Sequence, residues 1–118
     1  MRKEQLCIDT ICWSSFPVER ALEGIAKIGI PRVDLCASLG ACDHAAPENF
    51  GIRASDKLTR LLKKYGLTAV SYSGHTDLTT AEGMVAGVSR LQMAADMGIP
   101  LFTTPMPPSF IDSPNKGQ

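Results

Sequence analysis

The sequence holds no apolar run approaching the roughly 20 residues that a transmembrane helix needs, so no membrane span is predicted. It has no excess of charge either: 12 basic and 12 acidic side chains cancel, and the densest basic cluster is the pair Lys63-Lys64. That balance leaves no electrostatic footprint for nucleic acid or for an anionic membrane surface. Arg2 and Lys3 begin the chain, but Glu4 and Asp9 interrupt what would be the apolar stretch of a signal peptide. The expected location is therefore cytoplasmic. Its four cysteines, Cys7, Cys12, Cys36 and Cys42, form no C-x-x-C pair. They read as small buried hydrophobes in a reducing compartment. Cys36, Cys42 and His44 together match no common zinc spacing. A phosphate-cradling glycine loop, a nucleophile elbow and an HExxH helix are also missing, which removes the enzyme classes built on them.

What is present begins with enough chain for one domain: 118 residues, 44% of them hydrophobic and 20% charged, an ordinary balance for a globular protein. An internal repeat organises it. Ala26-Lys27-Ile28-Gly29-Ile30-Pro31 returns as Ala95-Asp96-Met97-Gly98-Ile99-Pro100, with a degenerate copy at Lys64-Tyr65-Gly66-Leu67-Thr68. Each copy places a glycine and then an aliphatic residue at the end of a helix-like pattern. Glycine accepts the left-handed conformation just past a helix, and the apolar residue after it packs back on the last turn. The interval between the glycines is the size of one helix plus one strand.

The segments between carry helical periods. Val18, Ala21, Leu22, Ile25 and Ala26 form a first stripe, with Pro17 suited to the first turn and Ser14 and Ser15 as capping candidates. Leu58, Leu61, Leu62 and Tyr65 form a second, after Ser55 and Asp56. The third opens on Thr79-x-x-Glu82, a capping-box pattern, and its expected packing face is Met84, Val88, Leu91 and Ala95. Strands are expected at 6–13, 32–37, 68–73 and 101–104. Strict alternation of strand and helix argues a parallel sheet with right-handed crossovers. Within the strands, Val33 and Leu35 alternate with Asp34 and Cys36, and Val70 and Tyr72 with Ser71 and Ser73. A strand buried on both faces reads instead as a continuous apolar run. The alternation thus favours a barrel whose inner face is small and polar, open to a site at the carboxyl ends of the strands. The expected fold is α/β, a partial TIM barrel of about four parallel strands and three helices over residues 1–104, followed by a proline-rich irregular tail at 105–118.

Four residues are candidates for binding a substrate. Asp34 shares the inward face with Cys36, and His75 follows the inward series Ser71, Ser73 to the strand end. Trp13, at the end of the first strand, offers a flat apolar wall, and His44 lies in the loop after the second strand. Each also has a plainer reading: a loop histidine with one hydrogen bond for His75 and His44, a backbone-bonded carboxylate for Asp34, and a core indole for Trp13. No catalytic residue is singled out.

The runs Pro17-Val18-Glu19-Arg20-Ala21-Leu22, Ile28-Gly29-Ile30-Pro31-Arg32-Val33-Asp34-Leu35, Leu61 through Leu67, and Ser71-Tyr72-Ser73-Gly74-His75 resemble the sugar phosphate isomerase/epimerase family. That family lies among the xylose-isomerase-like TIM barrels, which also include apurinic-site endonucleases, and the resemblance covers residues 6 to about 104. It implies a carbohydrate enzyme that uses a divalent metal (manganese, magnesium, zinc or cobalt) and carboxylates to move a proton between carbons of a ketose or polyol. His75 matches the strand-end histidine that touches substrate in the isomerases and zinc in the endonucleases. Asp34 stands where the family usually places glutamate, one carbon longer. The metal-binding residues of the isomerases come from the fifth to eighth strands, beyond the four read here, so the chain is expected to hold no metal and to be inactive alone. A half-barrel also leaves strand edges unpaired. A second copy, or a complementary half-barrel, could cover them. A non-catalytic binding or assembly module is the alternative reading.

Overall fold

A computed structural model describes residues 2–104, and the expected tail at 105–118 lies outside the described residues. Strand and helix alternate as β1 (Ile8–Asp9), α1 (Val18–Ile28), β2 (Arg32–Cys36), α2 (Ala54–Lys64), β3 (Thr68–Ser73), α3 (Ala81–Asp96) and β4 (Leu101–Thr103). The four strands form one sheet in the order β1-β2-β3-β4, every neighbouring pair parallel. The fold is therefore α/β, with sequential strands side by side and the sheet not closed. Among the described residues no helix is long and apolar enough to cross a membrane.

The repeated glycines do what their spacing predicts. Gly66 and Gly98 take φ of 69° and 71°, a region that costs a side-chain-bearing residue energy. At Gly66 the amide donates to the Lys63 carbonyl and the next amide, Leu67, reaches back to Leu62. Gly98 and Ile99 repeat this on Ala95 and Ala94. Both are the paired helix-end bonds that satisfy orphan carbonyls and turn the chain toward the next strand.

The core forms where all three helices lie on one face of the sheet. Leu22 and Ile25 of α1, Leu58 and Leu62 of α2, and Met93 and Ala94 of α3 cluster with Val33, Leu35 and Tyr72 from the strands. Arg90 of α3 joins this buried layer, 1% exposed.

Several expectations change. The first strand is only two residues long, because Asp9 accepts a bond from the Ile11 amide and starts a short 3₁₀ turn over Thr10–Trp13. The α3 cap sits one residue later than expected: Thr80, not Thr79, accepts from the Gly83 amide, while Thr79 donates to Asp77. Neither Ser14 nor Ser15 caps α1, whose N-cap is Pro17, and Ser55 and Asp56 lie inside the first turn of α2. Cys7 and Cys12 are exposed, and only Cys36 and Cys42 are buried.

The largest correction concerns α3. Its buried residues are Gly83, Gly87, Arg90, Met93 and Ala94, and the expected packing residues Met84, Val88, Leu91 and Ala95 are exposed. Close approach decides the face. A Cβ at Gly83 would collide with the Asp77 carbonyl, and one at Gly87 would sit 2.8 Å from Leu78. Two glycines four apart lie on one side of a helix, and here they admit the loop after β3 directly against the helix backbone.

Candidate functional site

Successive residues of a strand point to opposite faces. Val33, Leu35 and Tyr72 turn into the helix-covered core. Asp34 and Ser73, of the opposite parity, face each other across the strand boundary. Pairing is irregular between Val33, opposite Ala69, and Asp34, opposite Ser71. Val70, expected to share the apolar row of Tyr72, falls at this irregularity and is only half-buried.

The polar face is joined across three strands. The Ser73 hydroxyl donates to the Asp34 carboxylate, 2.9 Å from Oδ1 and 3.1 Å from Oδ2. The Thr103 hydroxyl of β4 donates in turn to Ser73 Oγ over 3.2 Å. Asp9 of β1 stands in register with Asp34 on the other side. Burial pushes the Asp34 carboxyl above the usual carboxylate range, and the charge of Asp9 pushes it the same way. The Ser73 and Ser71 hydroxyls and the His75 imidazole act against that shift without cancelling it.

His75 follows β3 and lines a cavity of about 390 Å³ with Leu39, Thr76, Asp77, Thr80, Glu82 and Gly83. This is the carboxyl end of the sheet, where β3 hands over to the start of α3. In parallel α/β sheets that end is where ligands are handled. Asp77 is committed to its own loop: hydrogen bonds from the hydroxyl and amide of Thr79 hold its carboxyl below the usual range. A second cavity, of about 340 Å³, lies at the opposite end among Gly29, Pro31, Arg32 and Gly66, where features serve stability more than ligands.

Of the four expected substrate-binding residues, Asp34 lies in the hydrogen-bonded row on the strand face and His75 lines the cavity at the carboxyl end. Trp13 instead lays its indole against α1, so that a Cβ at Gly24 would sit 2.7 Å from the ring. His44 is 4% exposed. Its Nε2 donates to the Phe16 carbonyl over 2.7 Å, and Nδ1 is buried with no partner in the described structure. It lines a separate cavity of about 250 Å³ with Phe16, Glu19 and Asn49.

Asp9 and Thr103 join the row without having been singled out from sequence. Asp9 lay inside a strand expected to be four times its real length, so its facing was not fixed. Thr103 becomes informative only once β4 is set in register with β3.

The buried Cys42 thiol is not a reactive group at neutral pH. Burial pushes Cys42 up to about 11, and the neighbouring Cys36 thiol adds to the shift. A protonated buried thiol is neither a nucleophile nor a metal ligand. Among the described residues no three His, Cys, Asp or Glu side chains gather around a point that one cation could occupy.

The Asp34 environment has a measurable consequence. A carboxyl whose folded pKa is raised binds its proton more tightly folded than unfolded. Its contribution to stability is then fully present at low pH and is lost as pH rises through the folded value. Asp34→Asn is expected to stabilise the chain at pH 7, with the gain shrinking as pH falls through the carboxylate range. Urea midpoints of both chains at several pH values measure this, and an equal difference at every pH would contradict it.

What the row offers chemically is a set of alternating donors and acceptors at strand spacing, two carboxylates among hydroxyls, with an imidazole at the rim. No family model matches the chain, no curated protein matches it, and no solved structure matches it.

Proposed function

We propose that this chain is the substrate-holding half of a sugar phosphate isomerase/epimerase-like barrel, binding a ketose or polyol along its polar strand face and transferring no proton on its own. The observation that carries this reading is the Thr103–Ser73–Asp34 hydrogen-bonded row, which presents hydroxyl and carboxylate groups from three adjacent parallel strands. Sugar hydroxyls are donors and acceptors at once, and a bidentate carboxylate beside hydroxyls suits them. The sequence resemblance supports the same class. The described residues do not provide the ligand set that the resembled family uses for its metal, so no step is assigned to a metal here. Asp34 and His75 hold and orient the ligand. A non-catalytic assembly module is the second reading, favoured by the exposed apolar stripe of α3.

The test is an NMR titration of the labelled chain with D-xylulose and with D-ribulose 5-phosphate. Amide shifts are expected to concentrate at Asp34, Ser73, His75 and Thr103. Ser73→Ala should weaken binding about tenfold, the value of one lost hydrogen bond to a charged group. Shifts confined to other parts of the chain would overturn the reading, as would their absence. Turnover of either sugar by the chain with a manganese, magnesium, zinc or cobalt salt would overturn the claim of inactivity.

A further inference from the structure

At the amino ends of the strands two unlike charges border one space without pairing. The cavity of about 340 Å³ there has the size of a small-molecule pocket. Glu4 before β1, Arg32 at the start of β2 and Tyr65 after α2 line it. Neither Glu4 nor Arg32 forms an ion pair with the other, or with any other described residue. The rest of the wall includes the apolar Ala26, Ile30 and Leu67. Helices α1 and α2 both finish at this cavity, through Gly29 and Gly66. The carboxyl end of a helix carries partial negative charge and favours a cation. Lys27, Lys63 and Lys64 lie in the last turns, but none of them lines the cavity.

We infer that this cavity binds a free α-amino acid with an apolar side chain. Arg32 takes the carboxylate, for which a guanidinium offers paired donors. Glu4 and the two helix ends take the ammonium, and the aliphatic wall with the Tyr65 ring takes the side chain. The charges argue against simpler ligands. A plain anion would meet Arg32, but also Glu4 and two helix carboxyl ends. A plain cation would have Arg32 beside it. A molecule carrying both charges on one carbon satisfies every group, and an amino acid inside a peptide chain has lost both. The cavity lies at the opposite end of the sheet from the carboxyl-end cavity of His75, so the inference stands apart from sugar binding. A ligand clamped between the ends of α1 and α2 stabilises the folded chain, because it is held by that state alone.

Isothermal titration calorimetry of the whole chain with L-leucine is expected to show saturable one-to-one binding. 4-Methylpentanoate, which lacks the ammonium, and L-leucinamide, which lacks the carboxylate, should each bind about tenfold more weakly or worse. Arg32→Gln and Glu4→Gln should weaken leucine binding by a similar factor. Amide shifts of the labelled chain on adding leucine should gather at Gly29, Arg32 and Gly66, and leave Asp34 and Ser73 unmoved. A chain that leucine does not saturate at millimolar concentration would overturn the inference. Equal affinity for 4-methylpentanoate and leucine would also overturn it, since the cavity would then read an anion only. Shifts gathered elsewhere in the chain would do the same. The comparison of analogues uses the parent chain alone, so it decides the matter even where Arg32→Gln fails to fold.

Discussion

Replacing Arg90 by alanine is expected to destabilise the fold by about 3 kcal/mol. The side chain is 1% exposed and each arm of its guanidinium is engaged. Nε donates to the Ala37 carbonyl over 2.7 Å, Nη1 to the Ala86 carbonyl over 3.2 Å, and Nη2 to Glu48 over 2.8 Å. These bonds tie α3 to the end of β2 and to the loop that carries Cys42 and His44. A charge taken out of water is tolerated only with such a full set of partners. Truncation removes all three bonds and leaves a void beside α3. The ion pair itself carries little of this, because Glu48 is 56% exposed and solvent screens it. Glu48→Gln keeps an acceptor in place and should cost well under half as much. Urea denaturation of both variants, followed by circular dichroism, separates the contributions. Equal losses would mean that the charge pair, and not the carbonyl bonds, holds the loop.

Arg90 also marks where sequence reading fails. On a helical wheel the apolar stripe of α3 reads as the packing face, and a buried arginine is not legible as core. Periodicity reports that a helix has apolar sides, but which side meets the sheet depends on what can come close. Gly83 and Gly87 settle that, and their spacing of four is in the sequence. Their meaning is not, because the loop that approaches them is fixed only by the course of β3. The helix ends were legible for the opposite reason. Gly66 and Gly98 act through bonds within a few residues of themselves, and local geometry is what local sequence encodes.

The candidate site divides along the same line. The inward parity of Asp34 and Ser73 follows from alternation within each strand, so both were visible as a polar face. The contact between them, and the extension to Thr103 and Asp9, depends on register between strands distant in the chain. One residue of slip would turn Thr103 to the opposite face. Trp13 was placed at the rim on the expectation of a long first strand, and His44 on its place in the loop after the second. The Asp9 turn ends that strand early, and the chain carries the indole onto α1 instead.

Tyr72 is buried on the helix-covered face of the sheet, and its substitution should show an equally large effect. The ring is fully buried and stacks on Phe102 with centroids 5.7 Å apart and planes 15° from parallel. Its hydroxyl donates to the Ala45 carbonyl over 2.6 Å. Burial pushes the phenol far above its usual value. Tyr72→Ala is expected to cost about 4 kcal/mol, the range for emptying a buried aromatic site. Tyr72→Phe keeps the ring and leaves the Ala45 carbonyl without this donor, for about 1.5 kcal/mol. The two losses should differ in place as well as size. In Tyr72→Phe, hydrogen exchange should quicken at the amides of Ala45 and Ala46, while the strand amides of β2 and β3 keep their protection. In Tyr72→Ala protection should fall throughout, since the ring is the contact shared by β3, β4 and α3. Ser71 and Ser73 flank Tyr72 and point the other way, so a loosened ring would also loosen the bond from Ser73 to Asp34. If Tyr72→Phe raised exchange uniformly, the hydroxyl would be part of the core's cohesion and not an anchor for the loop. If it raised exchange only at Ala45 and Ala46, the loop after β2 would be a separate unit held to the sheet by Tyr72 and Arg90 together.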